Sequence, residues 1–137
     1  MNIKAGIISG FVATIVLSIV MIAKAKMGVM PELNAIKMLA GMMRSPLFMG
    51  WVAHFMIGAV VWGILFAVLV DKLPGSTLAS AVIFSIGAWI MMMIGPMPMA
   101  GAGMFGLNLG IMAPIVTLML HIIWGVVLGL TYKRFAA

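Results

Sequence analysis

Residues 48–70 form a run of 23 residues without a formal charge, almost all of them apolar. That stretch restricts the fold more than any other feature. A bilayer core about 30 Å thick needs roughly 20 helical residues to cross it. Inside lipid, every backbone N–H and C=O must bond within its own segment or barrel. Similar apolar runs cover about 5–25, 77–94 and 114–132. Charged residues make up 7% of the chain, against about 25% in an ordinary soluble domain. The expected fold is therefore all-α, an integral membrane four-helix bundle, with residues 1–137 as a single transmembrane domain.

The charges sit where such a fold wants them. The net charge is +6, but the lysines and arginines flank the apolar runs and form no patch interleaved with aromatics. They read as snorkelling and topology-setting residues, not as a nucleic-acid surface. Lys4, Ala5–Ala23 and Ala23-Lys24-Ala25 imitate a signal peptide. The apolar run exceeds the usual core of about 7–15 residues, so it is read as a retained span.

Along the chain, Gly6, Gly10, Thr14 and Ser18 step by four on one face of the first span. Small residues in that register let helices approach closely in lipid. Residues 31–44 follow, with Pro31 suited to a first helical turn. Asn34, Lys37, Gly41 and Arg44 share a face, as expected of a short basic amphipathic helix lying in the interface. Asp71-Lys72-Leu73-Pro74-Gly75-Ser76 is a tight link that makes the second and third spans antiparallel neighbours, with Ser76 or Thr77 as helix cap. Gly95-Pro96-Met97-Pro98 stops the third span. Residues 99–113 are glycine-rich, uncharged and apolar; a loop packed over the end of the bundle, or a re-entrant one, fits them.

An offset of 67 residues brings several marks into register: Gly28-x-Met30-Pro31 on Gly95-x-Met97-Pro98, Ser18 on Ser85, His54 on His121, and Gly58 on Gly125. The chain reads as two pseudo-repeated helical hairpins. Parallel copies put the second and fourth spans in the same direction, with the two histidines at matching depth. Lys4, Lys72, Lys133 and Arg134 lie on one side, and Lys24, Lys26, Lys37 and Arg44 on the other. The positive-inside count is balanced. The tight Lys72 loop and the Lys-Arg terminus favour an inner-membrane protein with both termini cytoplasmic.

Four segments carry a resemblance: Met30-Pro31-Glu32-Leu33, Gly50-Trp51-Val52-Ala53-His54-Phe55, Ala100-Gly101-Ala102-Gly103-Met104-Phe105-Gly106 and Gly110-Ile111-Met112-Ala113-Pro114. With them the chain resembles a family of small four-span bacterial membrane proteins of unknown function. The resemblance implies the fold and brings no activity with it.

Little in the chain can do chemistry. Cysteine is absent, and the only acids, Glu32 and Asp71, lie in connecting segments. No intramembrane carboxylate is present to relay protons, and neither histidine has an acid–base partner in sequence. The chain is not expected to be an enzyme. A polar residue within a span is a functional candidate by default, which singles out His54 and His121, with Gly58 and Gly125 beside them. Structural hydrogen bonding to Thr14, Ser18, Thr117 or a backbone carbonyl is one reading. Axial ligation of haem b, or of a metal, by His54 and His121 is another, and a quinone or other small ligand is a third. The 17 methionines include Met91-Met92-Met93; soft thioethers suit copper(I), but adjacent helical residues diverge. Trp51 and Trp124 lie three residues from a histidine, within reach of ring contact.

The leading expectation is a non-enzymatic multi-pass protein with no cofactor. It would be an accessory or scaffold subunit, partnered by lipid and by other membrane subunits or itself. The alternative is a b-type haem electron-transfer module.

Overall fold

The computed structural model describes residues 1–137. Four helices are long and apolar enough to cross a membrane: Ile3–Lys26, Leu47–Lys72, Thr77–Met99 and Met112–Ala136, here spans one to four. Their ends follow local chemistry. Span one begins at Ile3 because the Asn2 side chain accepts the Ala5 N–H at 2.9 Å. Span three begins after Ser76, whose hydroxyl accepts from the Ala79 N–H at 3.2 Å. Span four starts at Met112, two residues ahead of Pro114. The proline then falls in the first turn, where its missing N–H costs nothing.

The spans bury small residues and expose large ones. Span one buries Ala5, Gly6, Ser9, Gly10, Ala13, Thr14 and Ser18, while Phe11, Ile15, Ile19 and Ile22 face outward. In lipid the outward face loses nothing by being apolar, so packing is set by how closely backbones fit. Gly6 lies against Gly63, and Gly10 against Gly58 and Ala59. In the second hairpin, Gly125 lies against Ala81 and Ser85, and Gly129 against Leu78 and Ala81. Gly58 meets Thr14, and Gly125 meets Ala81. Those two contacts are related by the 67-residue offset, so the repeat is expressed in the packing.

The spans form a ring in chain order. Span one packs closely on spans two and four, and span three on span four. Spans two and three, although joined by the tight link, approach through side chains. Phe84 reaches Trp62 and Phe66 at 5.7 and 5.3 Å between ring centroids. Both chain ends and the link share one side: the Asn2 N–H donates to the Tyr132 hydroxyl at 3.2 Å, and the N-terminal ammonium pairs with exposed Asp71 at 3.4 Å.

Three segments depart from expectation. Span two is not one regular helix: Leu47–Phe55 is α, Met56–Val61 is π, Trp62–Leu69 is α and Val70–Lys72 is a 3-10 turn. The interfacial helix begins at Ala35, not Pro31, because Asn34 caps it by accepting the Lys37 N–H at 3.0 Å. It runs to Met42 with Lys37 and Gly41 exposed; Arg44, expected on the same helical face, is also exposed but lies beyond the helix at positive φ. Its other face does more than rest on lipid. Ile36 and Ala40 are buried and fold back on Gly50 at the head of span two. Pro96–Met99 adds one helical turn beyond Gly95 where a stop was expected. The segment after it packs over the end of spans three and four: Ala102 and Gly106 are buried, and Phe105 meets Trp89 at 5.7 Å. Phe105 and Gly106 take positive φ there, 55° and 66°.

Candidate functional site

Where spans two and three stand apart, the bundle encloses a cavity of about 310 Å³. Trp62 and Trp124 line it, Met38 and Leu39 reach it from the short helix Ala35–Met42, and Leu33 from the turn before that helix. Thr14, Leu17 and Met21 line it from span one, and Ala88, Met91 and Met92 from span three. A wider depression of about 500 Å³ lies between spans one and two, but it is lined only by apolar side chains such as Ile7, Phe11 and Val52. That one is a lipid-facing groove; the polar chemistry belongs to the smaller cavity.

His54 and His121 both line this cavity. His54 stands seven residues beyond Leu47, and His121 nine beyond Met112, or roughly 10 and 14 Å into their spans at about 1.5 Å per residue. Gly58 lines the cavity too, whereas Gly125 does not; it is closed over by Ser85 and Ala81. Between close packing and ligand room, both glycines serve close packing: a Cβ at Gly58 would run into the Thr14 side chain.

Each ring has one hydrogen-bond partner within the bundle. The Ser18 hydroxyl donates to the Thr14 carbonyl at 2.7 Å. Its oxygen also lies 3.1 Å from His54 Nε2. His121 Nδ1 lies 2.8 Å from the Thr117 carbonyl; a carbonyl only accepts, so Nδ1 carries the proton. His54 Nδ1 and His121 Nε2 have no hydrogen-bond partner within the protein, and neither is sealed from the surroundings.

Two threonines are arranged alike. Thr14 donates to the Gly10 carbonyl at 2.7 Å and accepts from the Trp124 indole at 3.2 Å. Thr117 donates to the Ala113 carbonyl at 2.7 Å and accepts from the Trp89 indole at 2.9 Å. Sequence reasoning named Thr14, Ser18 and Thr117 as histidine partners but missed both tryptophan–threonine bonds. Trp51 meets His54 edge-on at 6.0 Å, while Trp124 stacks on Phe84 at 6.3 Å.

The rings do not form a haem site. The structure holds no haem-binding histidine pair. The nitrogen of His54 that faces span one is bonded to Ser18, and the cavity lies at the small end of the usual range of about 300–1,000 Å³. No lysine or arginine lines it to meet haem propionates. Nor do three or more His, Cys, Asp or Glu side chains gather anywhere. The methionine run diverges as helical geometry requires: Met91 and Met92 face the cavity, while Met93 is buried beside Thr117.

Lys24 entered the sequence reading only through the signal-peptide-like stretch and the count of charges on one side. Its side chain is buried, and its ammonium donates to the carbonyls of Val29, Met30 and Leu33 at 3.1, 2.8 and 3.0 Å. All three of its donors are satisfied, which fixes the turn leading into the cavity's covering helix. The signal was in the sequence: Thr14, Leu17, Met21 and Lys24 follow one helical face.

A family model described as a family of unknown function (DUF6789) matches residues 1–137. No curated protein and no solved structure matches the chain.

Proposed function

We infer a role from the site, since the chain belongs to the DUF6789 family and that family's function is unknown. We propose a non-enzymatic accessory membrane protein that holds a small bilayer-soluble molecule between its two hairpins. One observation carries this reading: the cavity of about 310 Å³ is lined by both histidines of a chain that has only two. Scaffolding by self-association was argued from small-residue faces, but Gly6, Gly10, Gly58, Gly63, Gly125 and Gly129 are engaged within the bundle. Binding is therefore favoured over scaffolding. Absence of an acid beside either histidine supports a non-catalytic role. We place the chain in the inner membrane with both termini cytoplasmic, on the strength of the short Lys72 link and the Lys133-Arg134 end.

The test is purification in mild detergent followed by solvent extraction and mass spectrometry. A lipophilic molecule is expected in stoichiometric amount. It should be lost from Ala88→Phe, which adds a ring at a cavity-lining position of span three. A ligand-free monomer that carries a solute across vesicles would overturn the reading.

A further inference from the structure

The cavity has one side without a close-packed wall. Backbones lie against one another where span one meets spans two and four, and where span three meets span four. Between spans two and three they come close chiefly at the Val70–Lys72 turn, and Phe84 bridges the gap by its contacts with Trp62 and Phe66. Exposure marks where the rest of that gap opens. The exposed residues among those lining the cavity are Met42, Ile57, Met91 and Pro96. Ile57 belongs to span two, Met91 and Pro96 to span three, and Met42 ends the short helix. The lining residues of spans one and four are all buried or half-buried. The mouth therefore lies between spans two and three, beside the last turn of the short helix.

This mouth faces lipid. Ile57 stands ten residues beyond Leu47, roughly 15 Å into its span at about 1.5 Å per residue. It also lies in the π-helical segment Met56–Val61, an irregularity that spanning helices often carry at functional sites. All four rim residues are apolar, and no Asp, Glu, Lys or Arg lines the interior, so a charged group would be costly there. The cavity of about 310 Å³ is at the small end for a ligand pocket and too small for a whole membrane lipid. A head group fits, and the remainder of such a molecule has to leave by the mouth.

We propose that the cavity admits an amphiphile sideways from the bilayer, taking its compact, uncharged head between the hairpins while its hydrocarbon tail passes between Ile57 and Met91 into the acyl chains. The proposal rests on the reading that the cavity holds a bilayer-soluble molecule, and adds the ligand's class and its route of entry. His121 stands on span four, across the bundle from the mouth, and His54 one turn from Ile57 on span two, so a head that enters between the rims passes one histidine and reaches the other.

The chain has no cysteine, so Ala88→Cys places a single thiol at a buried position of the cavity wall. The full chain in phosphatidylcholine nanodiscs is treated with N-dodecylmaleimide, which carries a tail, or with N-(2-sulfoethyl)maleimide, which is charged and stays in water. The tailed reagent should label the Ala88→Cys thiol and the charged one should not. Ile19→Cys, at an exposed position of span one, gives the tailed reagent's rate without a cavity. Adding Ile57→Trp or Met91→Trp fills the mouth and should slow labelling of Ala88→Cys about tenfold or more, with Ile19→Cys unchanged. The comparison of the two reagents needs neither tryptophan, so misfolding of a plugged variant leaves the proposal testable. Equal labelling by the charged reagent, no labelling by either, or plugs that slow nothing would each overturn the lateral route. Solvent extraction of the wild type judges the binding reading separately. A stoichiometric extracted molecule without a hydrocarbon tail overturns the proposal while the binding reading stands. If labelling follows the mouth but nothing is extracted, the route stands and the resident ligand is lost.

Discussion

Two glycine-to-alanine substitutions, both within spanning helices, should change stability in opposite directions. Gly63 sits where spans one and two touch backbone to backbone. A Cβ built there would lie 3.0 Å from the Gly6 carbonyl carbon and 3.2 Å from Ile7 Cα. Neither neighbour is the tip of a flexible side chain, so the helices themselves would have to part. Overpacking of this kind costs about 1–3 kcal/mol, and contacts along the Gly6–Gly10 face would loosen as well. Against this stands the gain from replacing glycine within a helix, about 0.5–1 kcal/mol. The net expected for Gly63→Ala is a loss of about 1–2 kcal/mol. Gly87, in the middle of span three, has nothing within 4 Å of its hypothetical Cβ. Gly87→Ala therefore keeps only the propensity gain and should stabilise by about 0.5–1 kcal/mol. Reversible unfolding of the purified protein in mixed micelles, titrated with a denaturing detergent, reads both. If the two variants move the midpoint in the same direction, the close packing assigned to spans one and two is wrong.

Other expectations concern the polar groups. Lys24→Met removes an ammonium that satisfies three carbonyls, and should destabilise by about 2–4 kcal/mol; hydrogen exchange should rise in residues 28–42 before the rest of the bundle, and uniform exchange would contradict the anchoring role. Ser18→Ala and His54→Phe, combined in a double-mutant cycle, should show coupling of about 0.6–1.7 kcal/mol, and a null coupling would refute the Ser18–His54 contact. Thr14→Val strips the Trp124 indole of its acceptor and should cost about 1–2 kcal/mol with a change in the indole N–H proton shift; an unmoved shift would refute the contact.

The architecture was legible because lipid reduces it to length and charge. Four apolar runs bounded by lysines, arginines and turn residues fix four helices, and of the two caps the sequence offered for span three, Ser76 or Thr77, Ser76 is the one used. The family resemblance agreed with the fold. Other features depend on relations that one-dimensional patterns do not carry. The π-helix over Met56–Val61 coincides with the contact of Gly58 on Thr14 and with Ile57 and Trp62 at the cavity, and a purely apolar run gives no sign of it. The interfacial helix read as lipid-bound because its basic face is obvious; that Ile36 and Ala40 bury against Gly50 needs the third dimension. The two histidines were found from sequence as polar intruders in apolar spans, and they do share one cavity. The haem reading failed because spacing shows where a ring sits along a helix but not which of its nitrogens is already bonded.

The central claim is that the two histidines line one cavity between the hairpins. Nitrogen-15 NMR of histidine-labelled protein, compared between the wild type and Ala88→Phe, tests it directly. Both rings' resonances are expected to shift when the added phenyl ring enters the cavity. A shift confined to one ring, or none, would contradict it.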